Sequence, residues 1–185
     1  MGQKRVKSLV LELTTVKMHD TFRDHITNVL NTNAVAHTYI ECMSIAKSQG
    51  GNFSALMLDL DGFKRINEDH DTPGGDRCLR EVALLLAETI RGESDKLLRY
   101  RHGDEFLILL PETSGESAEF VAKRITRLVE KTPFLVNDEQ VREKLTASVA
   151  FTGINVNTDD LDSVTARLET GLKKAKKIKN TYVKA

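Results

Sequence analysis

The order of helical and extended patterns along the chain constrains its fold more than any other feature of the sequence. Strand-like alternation or short apolar runs mark four segments, and apolar residues repeating every three or four positions lie between them. The predicted strands are residues 53–60, 96–101, 105–110 and 145–154, and the predicted helices between them are residues 76–91 and 114–130. This βαββαβ order is typical of an α+β domain of the ferredoxin-like or palm type, with a central antiparallel sheet flanked by helices.

Further helical patterns flank this core. Apolar residues at spacings of three and four predict helices over residues 6–30 and 34–46, and a basic helix over residues 161–179. A chain of 185 residues is long enough for one ordinary core and marginal for two. We therefore expect one domain over residues 21–185, with residues 1–20 as an N-terminal helical extension or linker.

Short polar sequences mark the ends of the predicted elements. Ser114 can cap the helix that follows it, and Phe120 is among the residues of that helix predicted to face inward. A loop is expected around Pro73-Gly74-Gly75, ahead of the helix that starts at residue 76. His102-Gly103-Asp104 separates two strands and predicts a hairpin turn.

The composition of the chain argues against several classes of partner. Lys plus Arg and Asp plus Glu both number 27, so there is no net attraction to nucleic acid or to an anionic membrane. Cys42 and Cys78 have no metal-ligand spacing, and neither a disulfide framework nor a zinc site is indicated. The apolar runs are too short to cross a membrane. We expect a cytoplasmic protein that binds neither nucleic acid nor membrane through this chain.

Two acidic groups stand at the predicted strand ends. Asp59 and Asp61 project to one side at the end of the first strand, and Asp104 and Glu105 follow the hairpin turn. In a palm fold these places adjoin, so Asp59, Asp104 and Glu105 would converge. Such carboxylates repel one another unless a cation is present, and their oxygen atoms suit Mg²⁺ or Mn²⁺. Two such ions could activate a hydroxyl and stabilise a leaving pyrophosphate.

A purely structural interpretation of the first acidic group is also open. Asp61-Gly62 could simply make a turn while Asp59 caps the next helix, and the spacing does not decide between the two. The Gly62-Phe63-Lys64 segment is similarly ambiguous. Its backbone N–H groups and lysine could hold phosphate oxygens, but the segment by itself favours an ordinary amphipathic turn with a solvated lysine.

Taken together, these segments resemble the GGDEF domain of diguanylate cyclases. The resemblance rests on three strings, which are Asp59-Leu60-Asp61-Gly62-Phe63-Lys64-Arg65-Ile66-Asn67, Gly75-Asp76 and Arg99-Tyr100-Arg101-His102-Gly103-Asp104-Glu105-Phe106. It covers most of the chain. It implies an enzyme that joins two GTP molecules into cyclic di-GMP with release of pyrophosphate, across two domains that each hold one GTP. A homodimer is therefore the expected active form.

The same resemblance implies roles for individual residues. Asp59 and Asp104 would bind Mg²⁺ or Mn²⁺, with the Leu60 carbonyl as a further ligand. Asn67 and Asp76 would read guanine, because an amide oxygen and a carboxylate complement its donor edge. The residues implied in catalysis are Asp104, Glu105 and Lys64, and those implied in holding the nucleotide also include Gly62, Phe63, Gly103, Lys176 and Lys179.

The chain departs from the family pattern at the signature turn. His102 stands where the first glycine is expected; histidine tolerates a positive φ, but its ring fills space that glycine leaves open to substrate. The alternative function is therefore a weakly active or inactive module that binds GTP or cyclic di-GMP and signals to a partner. Arg91 and Asp95 only approximate the family's Arg-x-x-Asp product site, because three residues separate them. Product inhibition is not predicted.

Overall fold

The computed structural model describes residues 21–92, 94–101, 103–137 and 140–185. The predicted extension over residues 1–20 and the variant residue His102 lie outside these ranges. The helices are α1 (Val35–Ser48), α2 (Phe63–Thr89), α3 (Gly115–Lys131) and α4 (Leu161–Ile178), with a 3₁₀ turn at Thr32–Ala34. The strands are β1 (Phe53–Asp61), β2 (Lys96–Arg99), β3 (Glu105–Pro111), β4 (Pro133–Leu135), β5 (Arg142–Lys144), β6 (Thr146–Gly153) and β7 (Thr181–Lys184).

Five of the strands form the central sheet in the order β2-β3-β1-β6-β7. The pairs β2–β3, β3–β1 and β1–β6 are antiparallel, and the pair β6–β7 is parallel. The predicted α+β palm-like fold is confirmed, but the sheet is mixed rather than wholly antiparallel. Strands β7, β4 and β5 were not predicted, because each has only three or four residues, too few to establish an alternating pattern. Asn137-Asp138 predicted only a small reversal of the chain between β4 and β5.

Strand β1 is the central strand and is buried on both faces. Leu56, Leu58 and Leu60 pack on one face with apolar residues of α2 and α3. Ala55 and Met57 pack on the other face with residues of α1 and α4. The alternation of β1 thus divides the core into two layers, and the helices cover both faces of the sheet.

The segment before α1 is a turn, so the helix predicted over residues 6–30 is wrong for residues 22–30. Arg23 and Leu30 form an antiparallel bridge across this turn. The Asp24 carboxylate accepts hydrogen bonds from the backbone N–H and the hydroxyl of Thr27, at 2.9 and 2.7 Å. Local bonds of this kind give the backbone an alternative to the helix that the apolar spacing predicted.

Helix α2 replaces the loop predicted around Pro73-Gly74-Gly75. The helix starts at Phe63 and is kinked at His70 and Asp71, where Asp71 has φ 58° and ψ 174°. Pro73 follows the kink, where the second helical segment begins and a missing N–H costs little. Gly74 is buried, and a Cβ there would lie 2.7 Å from the Val136 carbonyl oxygen. The glycine is needed for close packing against the chain after β4 rather than for a loop.

Helix α3 has the predicted cap but not all of the predicted inward face. The Ser114 hydroxyl accepts a hydrogen bond from the Ser117 backbone N–H at 3.2 Å. Phe120 is 74% exposed, so its predicted inward position is wrong. Ala118, Ala122 and Ile125 form the buried stripe, and Phe120 lies two residues from both alanines, on the opposite side of the helix.

Within the ranges that the structure describes, none of the helices combines the length and the apolar character needed to cross a bilayer.

Two alanine substitutions in α3 test this orientation. Ile125→Ala should lower the free energy of unfolding by about 2–5 kcal/mol, because Ile125 is fully buried and its loss leaves a cavity. Phe120→Ala removes a larger side chain from solvent and should change that free energy by no more than about 0.5 kcal/mol. Urea denaturation followed by circular dichroism measures both. Equal losses from the two variants would contradict the orientation.

Candidate active site

The ends of β1 and β3 bring three carboxylates to one edge of the sheet. Asp59 pairs with Glu105 in the β1–β3 ladder, and Asp104 immediately precedes β3. Asp59 is only 4% exposed, whereas Asp104 and Glu105 are partly exposed. The predicted approach of these acids is therefore present, and it follows directly from the register of two neighbouring strands.

A lysine from the last turn of α4 joins these acids. The Lys176 ammonium donates a hydrogen bond to Asp59 Oδ2 at 2.6 Å. Sequence analysis proposed Lys176 for phosphate binding and missed this ion pair. The two residues are 117 positions apart, and only the packing of α4 beside β1 brings them together.

The acidic cluster changes the protonation of its members. Burial, followed by repulsion from Asp59, raises the pKa of Asp104 to about 6. The same two causes raise the pKa of Glu105. Burial also raises the pKa of Asp59 against the opposing effect of the Lys176 hydrogen bond. Burial lowers the pKa of Lys176, but its bond to Asp59 and the three carboxylate charges outweigh this and leave the pKa raised.

Asp61, the other acid at the end of β1, stabilises the fold through hydrogen bonds to other elements. Its carboxylate accepts hydrogen bonds from the Thr146 and Ser148 hydroxyls, both at 2.7 Å, and from the Asn180 backbone N–H at 2.9 Å. These bonds tie the end of β1 to β6 and to the chain after α4. Asp59 does not cap α2, because Gly62 is the N-cap residue and Asp59 bonds to Lys176. The capping alternative for Asp59 is therefore wrong.

A cleft of about 220 Å³ opens beside the acids. It is lined by Asp59, Leu60, Asp61, Gly62, Phe63, Lys64, Asp104, Lys176 and Lys179. Gly62 has φ 82°, a conformation that glycine adopts without strain, and it turns the chain from β1 into α2. The cleft thus combines carboxylates, three lysines and the N-terminus of a helix, which is a suitable arrangement for phosphate and a divalent cation.

Asn67 and Gly75, the residue before Asp76, lie beside one another across the kink of α2, and neither Asn67 nor Asp76 lines the cleft. A Cβ on Gly75 would fall 1.9 Å from the Asn67 side-chain oxygen, so only glycine leaves room for Asn67 there. The same point is 3.3 Å from the Phe63 ring, which places Asn67 and Gly75 near the base of α2. Gly103 also lies outside the cleft lining; it is exposed, with φ 107°.

Arg99 and Asp24 support the signature turn, and sequence analysis assigned no role to either. Arg99 is 8% exposed and donates to the Gly103 carbonyl from two guanidinium nitrogens, at 2.9 and 2.7 Å. Another guanidinium nitrogen donates to Asp24 at 2.9 Å. The Arg99 guanidinium therefore holds the Gly103 carbonyl, immediately before Asp104, in a fixed position. An arginine directly after the apolar pair Leu97-Leu98 and three positions before the turn at His102 was the available signal.

The residues at the cleft fit a divalent cation. Among the described residues, no three His, Cys, Asp or Glu side chains already surround a common metal position. Asp59 and Asp104 nevertheless supply hard oxygen donors, and Leu60 is the residue beyond the last β1–β3 pair. Burial raises the pKa of Asp104, and repulsion from the neighbouring Asp59 carboxylate adds to the rise. A divalent cation would relieve this repulsion.

These features define a palm-type α+β domain with an acidic cleft at the end of its central strand. The family model described as "Diguanylate cyclase, GGDEF domain" matches residues 21–181. The chain therefore belongs to the GGDEF domain family, which confirms the resemblance seen in the sequence.

Curated relatives agree with this assignment. Diguanylate cyclase A of Treponema denticola is 29% identical over 171 residues, covering 91% of this chain and 43% of that protein. The response regulator PleD of Caulobacter vibrioides is 31% identical, covering 83% and 33%. Diguanylate cyclase DosC of Escherichia coli is 33% identical, covering 74% and 29%. The chain spans less than half the length of these relatives.

Solved structures agree on the fold. Diguanylate cyclase SiaD of Pseudomonas aeruginosa, solved with its activator SiaC, has a TM-score of 0.81 at 27% identity, covering 98% of this chain and 68% of that chain. The coiled coil and GGDEF domain of DgcB from Caulobacter crescentus, solved with c-di-GMP, has a TM-score of 0.83 at 22% identity, covering 98% and 94%. At that identity the second likeness shows the fold alone.

The position of Asp104 predicts a pH-dependent stability difference. Its folded pKa of about 6 exceeds the ordinary value of 3.8, so the stability it contributes is complete below pH 4 and lost as pH rises through 6. Asp104→Asn cannot ionise. Without nucleotide or divalent cation, this variant should exceed the wild type in unfolding free energy at pH 7 by up to about 3 kcal/mol, at roughly 1.4 kcal/mol per pKa unit.

Denaturant titrations between pH 4 and pH 7 measure this difference. Glu119→Gln, on the exposed face of α3 and remote from the cleft, is the matched control and should show no such trend. An Asp104→Asn difference that stays constant across this pH range would rule out the raised pKa.

Proposed function

We propose that residues 21–185 form the catalytic domain of a diguanylate cyclase, which condenses two GTP molecules into cyclic di-GMP and releases pyrophosphate. The observation that carries this proposal is the convergence of Asp59, Asp104, Glu105 and Lys176 at the end of β1 in a chain of the GGDEF domain family. The naming of several relatives as diguanylate cyclases supports it.

Asp59 and Asp104 would hold Mg²⁺ or Mn²⁺, with the Leu60 carbonyl as a further ligand. Two bound ions of this kind neutralise phosphate charge and favour attack by a hydroxyl at phosphorus. The burial of Asp59 and the mutual repulsion of the carboxylates support this assignment, because both make an uncompensated negative charge unfavourable at the cleft.

The phosphates of GTP would lie in the cleft between α2 and α4. The backbone of Gly62 and Phe63 lies at the N-terminus of α2, where N–H groups are free to meet phosphate oxygens. Lys64 and Lys179 line the same cleft. Lys64 is largely exposed and forms an exposed 3.3 Å pair with Glu68 one turn later, which a phosphate in the cleft could replace.

Asn67 and Asp76 would read the guanine base. Guanine presents an N–H and an amino group side by side, and a carboxylate can accept from both. The Asn67 amide can pair with the remaining polar atoms of the base. The close approach of Asn67 to Gly75, the residue before Asp76, supports a shared role, because a side chain at that glycine would displace Asn67.

In the proposed reaction, the ribose 3′-oxygen of each GTP forms a bond to the α-phosphorus of the other, in two successive steps that close the ring. In each step the bond from that phosphorus to the pyrophosphate oxygen breaks, so two pyrophosphates leave. Glu105, which pairs with Asp59 in the β1–β3 ladder and is partly exposed, would accept the hydroxyl proton. A cleft of about 220 Å³ suits the polyphosphate of one nucleotide, which supports supply of the second GTP by another copy in a homodimer.

The direct test is incubation of the purified protein with GTP and Mg²⁺, with products separated by chromatography and identified by mass. Wild type should form cyclic di-GMP and pyrophosphate, and Asp104→Ala should lose at least about 99% of the rate because a charge-bearing ligand at the reacting centre is removed. Glu119→Gln is the control and should keep full activity.

The alternative of a weakly active binding module has its own outcome in this assay. GTP binding by calorimetry without product, at high enzyme concentration, would sink the cyclase proposal and favour the module. His102→Gly then locates the cause. Product formed by that variant alone would assign the defect to the signature turn.

Base selectivity tests the assignment of Asp76. Inosine triphosphate lacks the 2-amino group, so wild type should bind GTP about ten- to a hundredfold more tightly than inosine triphosphate. Asp76→Ala should reduce this ratio to near one, because the acceptor of the amino group is gone. Competition against a fluorescent GTP derivative measures both affinities. Asp69→Ala, an exposed carboxylate on the same helix, should keep the wild-type ratio; a retained ratio in Asp76→Ala would reject the assignment.

A further inference from the structure

Lys176 is hydrogen-bonded to Asp59, the carboxylate that the proposed function assigns to the metal. Among the described residues, the Asp59 carboxylate receives one hydrogen bond, from Lys176 at 2.6 Å. The Asp59 side chain is 5% exposed and that of Lys176 is 46% exposed. The buried member of the pair thus depends on the more exposed one for its charge compensation.

We propose that Lys176 is a displaceable counter-ion, which competes with the divalent cation for Asp59 until nucleotide phosphate draws it away. This inference rests on the proposed function for the identity of the site. It adds a second task for Lys176, because the lysine would control metal affinity before it meets phosphate.

The competition follows from charge and space. An ammonium group in hydrogen-bond contact with Asp59 Oδ2 occupies one of the two oxygens that this cleft-lining carboxylate can offer to a divalent cation. Two cations beside one carboxylate repel each other strongly in a partly buried site. The cation therefore competes with a short, charge-assisted hydrogen bond for the same carboxylate, and binding through both Asp59 oxygens requires that bond to break.

The displacement requires only side-chain motion. The end of α4 is fixed, because the Lys179 N–H donates to the Ala175 carbonyl at 2.8 Å and the Asn180 N–H donates to Asp61 at 2.9 Å. Lysine has a long flexible stem, and Lys176 already lines the same cleft as Lys64 and Lys179. A triphosphate in that cleft offers the ammonium a second anion without a change in the backbone.

The consequence is a coupling between nucleotide and metal. Metal alone competes with Lys176 for Asp59, so it binds weakly. Metal that arrives with nucleotide finds the ammonium already paired with phosphate, and it binds more tightly than its direct phosphate contacts would provide. By linkage, metal strengthens nucleotide binding by the same factor.

Titration of Mn²⁺, followed by the electron paramagnetic resonance signal of the free ion, tests this coupling without turnover. In the absence of nucleotide, Lys176→Met should bind Mn²⁺ about tenfold more tightly than wild type or better, since no charged hydrogen bond has to be broken. Lys174→Met removes an equal charge on the opposite side of α4 and should match wild type. Repeating the titration with the α,β-methylene analogue of GTP should show a smaller gain in Mn²⁺ affinity for Lys176→Met than for wild type.

These titrations distinguish failure of the counter-ion role from failure of the proposed function. Unchanged or weaker Mn²⁺ binding by Lys176→Met, while wild type binds Mn²⁺ with the analogue, overturns the counter-ion role and leaves the proposed function standing. Failure of wild type to bind Mn²⁺ even with the analogue defeats both. Lys176→Gln keeps a neutral donor toward Asp59 and replaces Lys176→Met if the latter does not fold; it should show the same direction of change.

Discussion

The site depends on the position of β1, which is hydrogen-bonded on both sides and buried on both faces. Its pairing with β3 sets Asp59 opposite Glu105, and its pairing with β6 carries Asp61 to the hydroxyls of Thr146 and Ser148. A shift of register by one residue would turn the leucines of β1 out of their core layer and reverse the direction of both acids. The apolar core therefore fixes the acidic cluster as firmly as it fixes the fold.

The cluster is held in place at a cost in stability. Burial and repulsion raise the pKa values of Asp104 and Glu105, so the ionised site opposes folding when no cation compensates it. The Lys176–Asp59 pair offsets part of this cost from within the chain. Polar groups that compromise stability are expected where a site is prepared for a charged ligand. Asp61, by contrast, is satisfied by three hydrogen bonds and serves the fold.

Much of the architecture could be predicted because it depends on sequence patterns within short segments. The alternation in β1, the helical stripe after residue 76 and the cap at Ser114 were each visible in a short window. The approach of Asp59 to Glu105 also followed, once the βαββαβ order placed two strand ends together. Features that depend on packing between distant segments were not visible. Lys176 meets Asp59 only through the docking of α4, and residue 75 of the helix has to be glycine because Asn67 fills the space beside it. The apolar spacing before residue 31 suggested a helix, and the side chain of Asp24 stabilised a turn instead.

The turn over residues 23–30 has a further effect on the outer margin of the sheet. Strand β2 is the last strand on that side, and such a strand exposes backbone groups that invite pairing with another molecule. The Leu30 carbonyl accepts the Arg99 backbone N–H at 2.7 Å, and Leu30 forms a parallel bridge with Leu98. A single residue of the preceding turn thus occupies the free side of β2. The segment that replaces the expected helix therefore shortens the free edge of β2 that another strand could pair with.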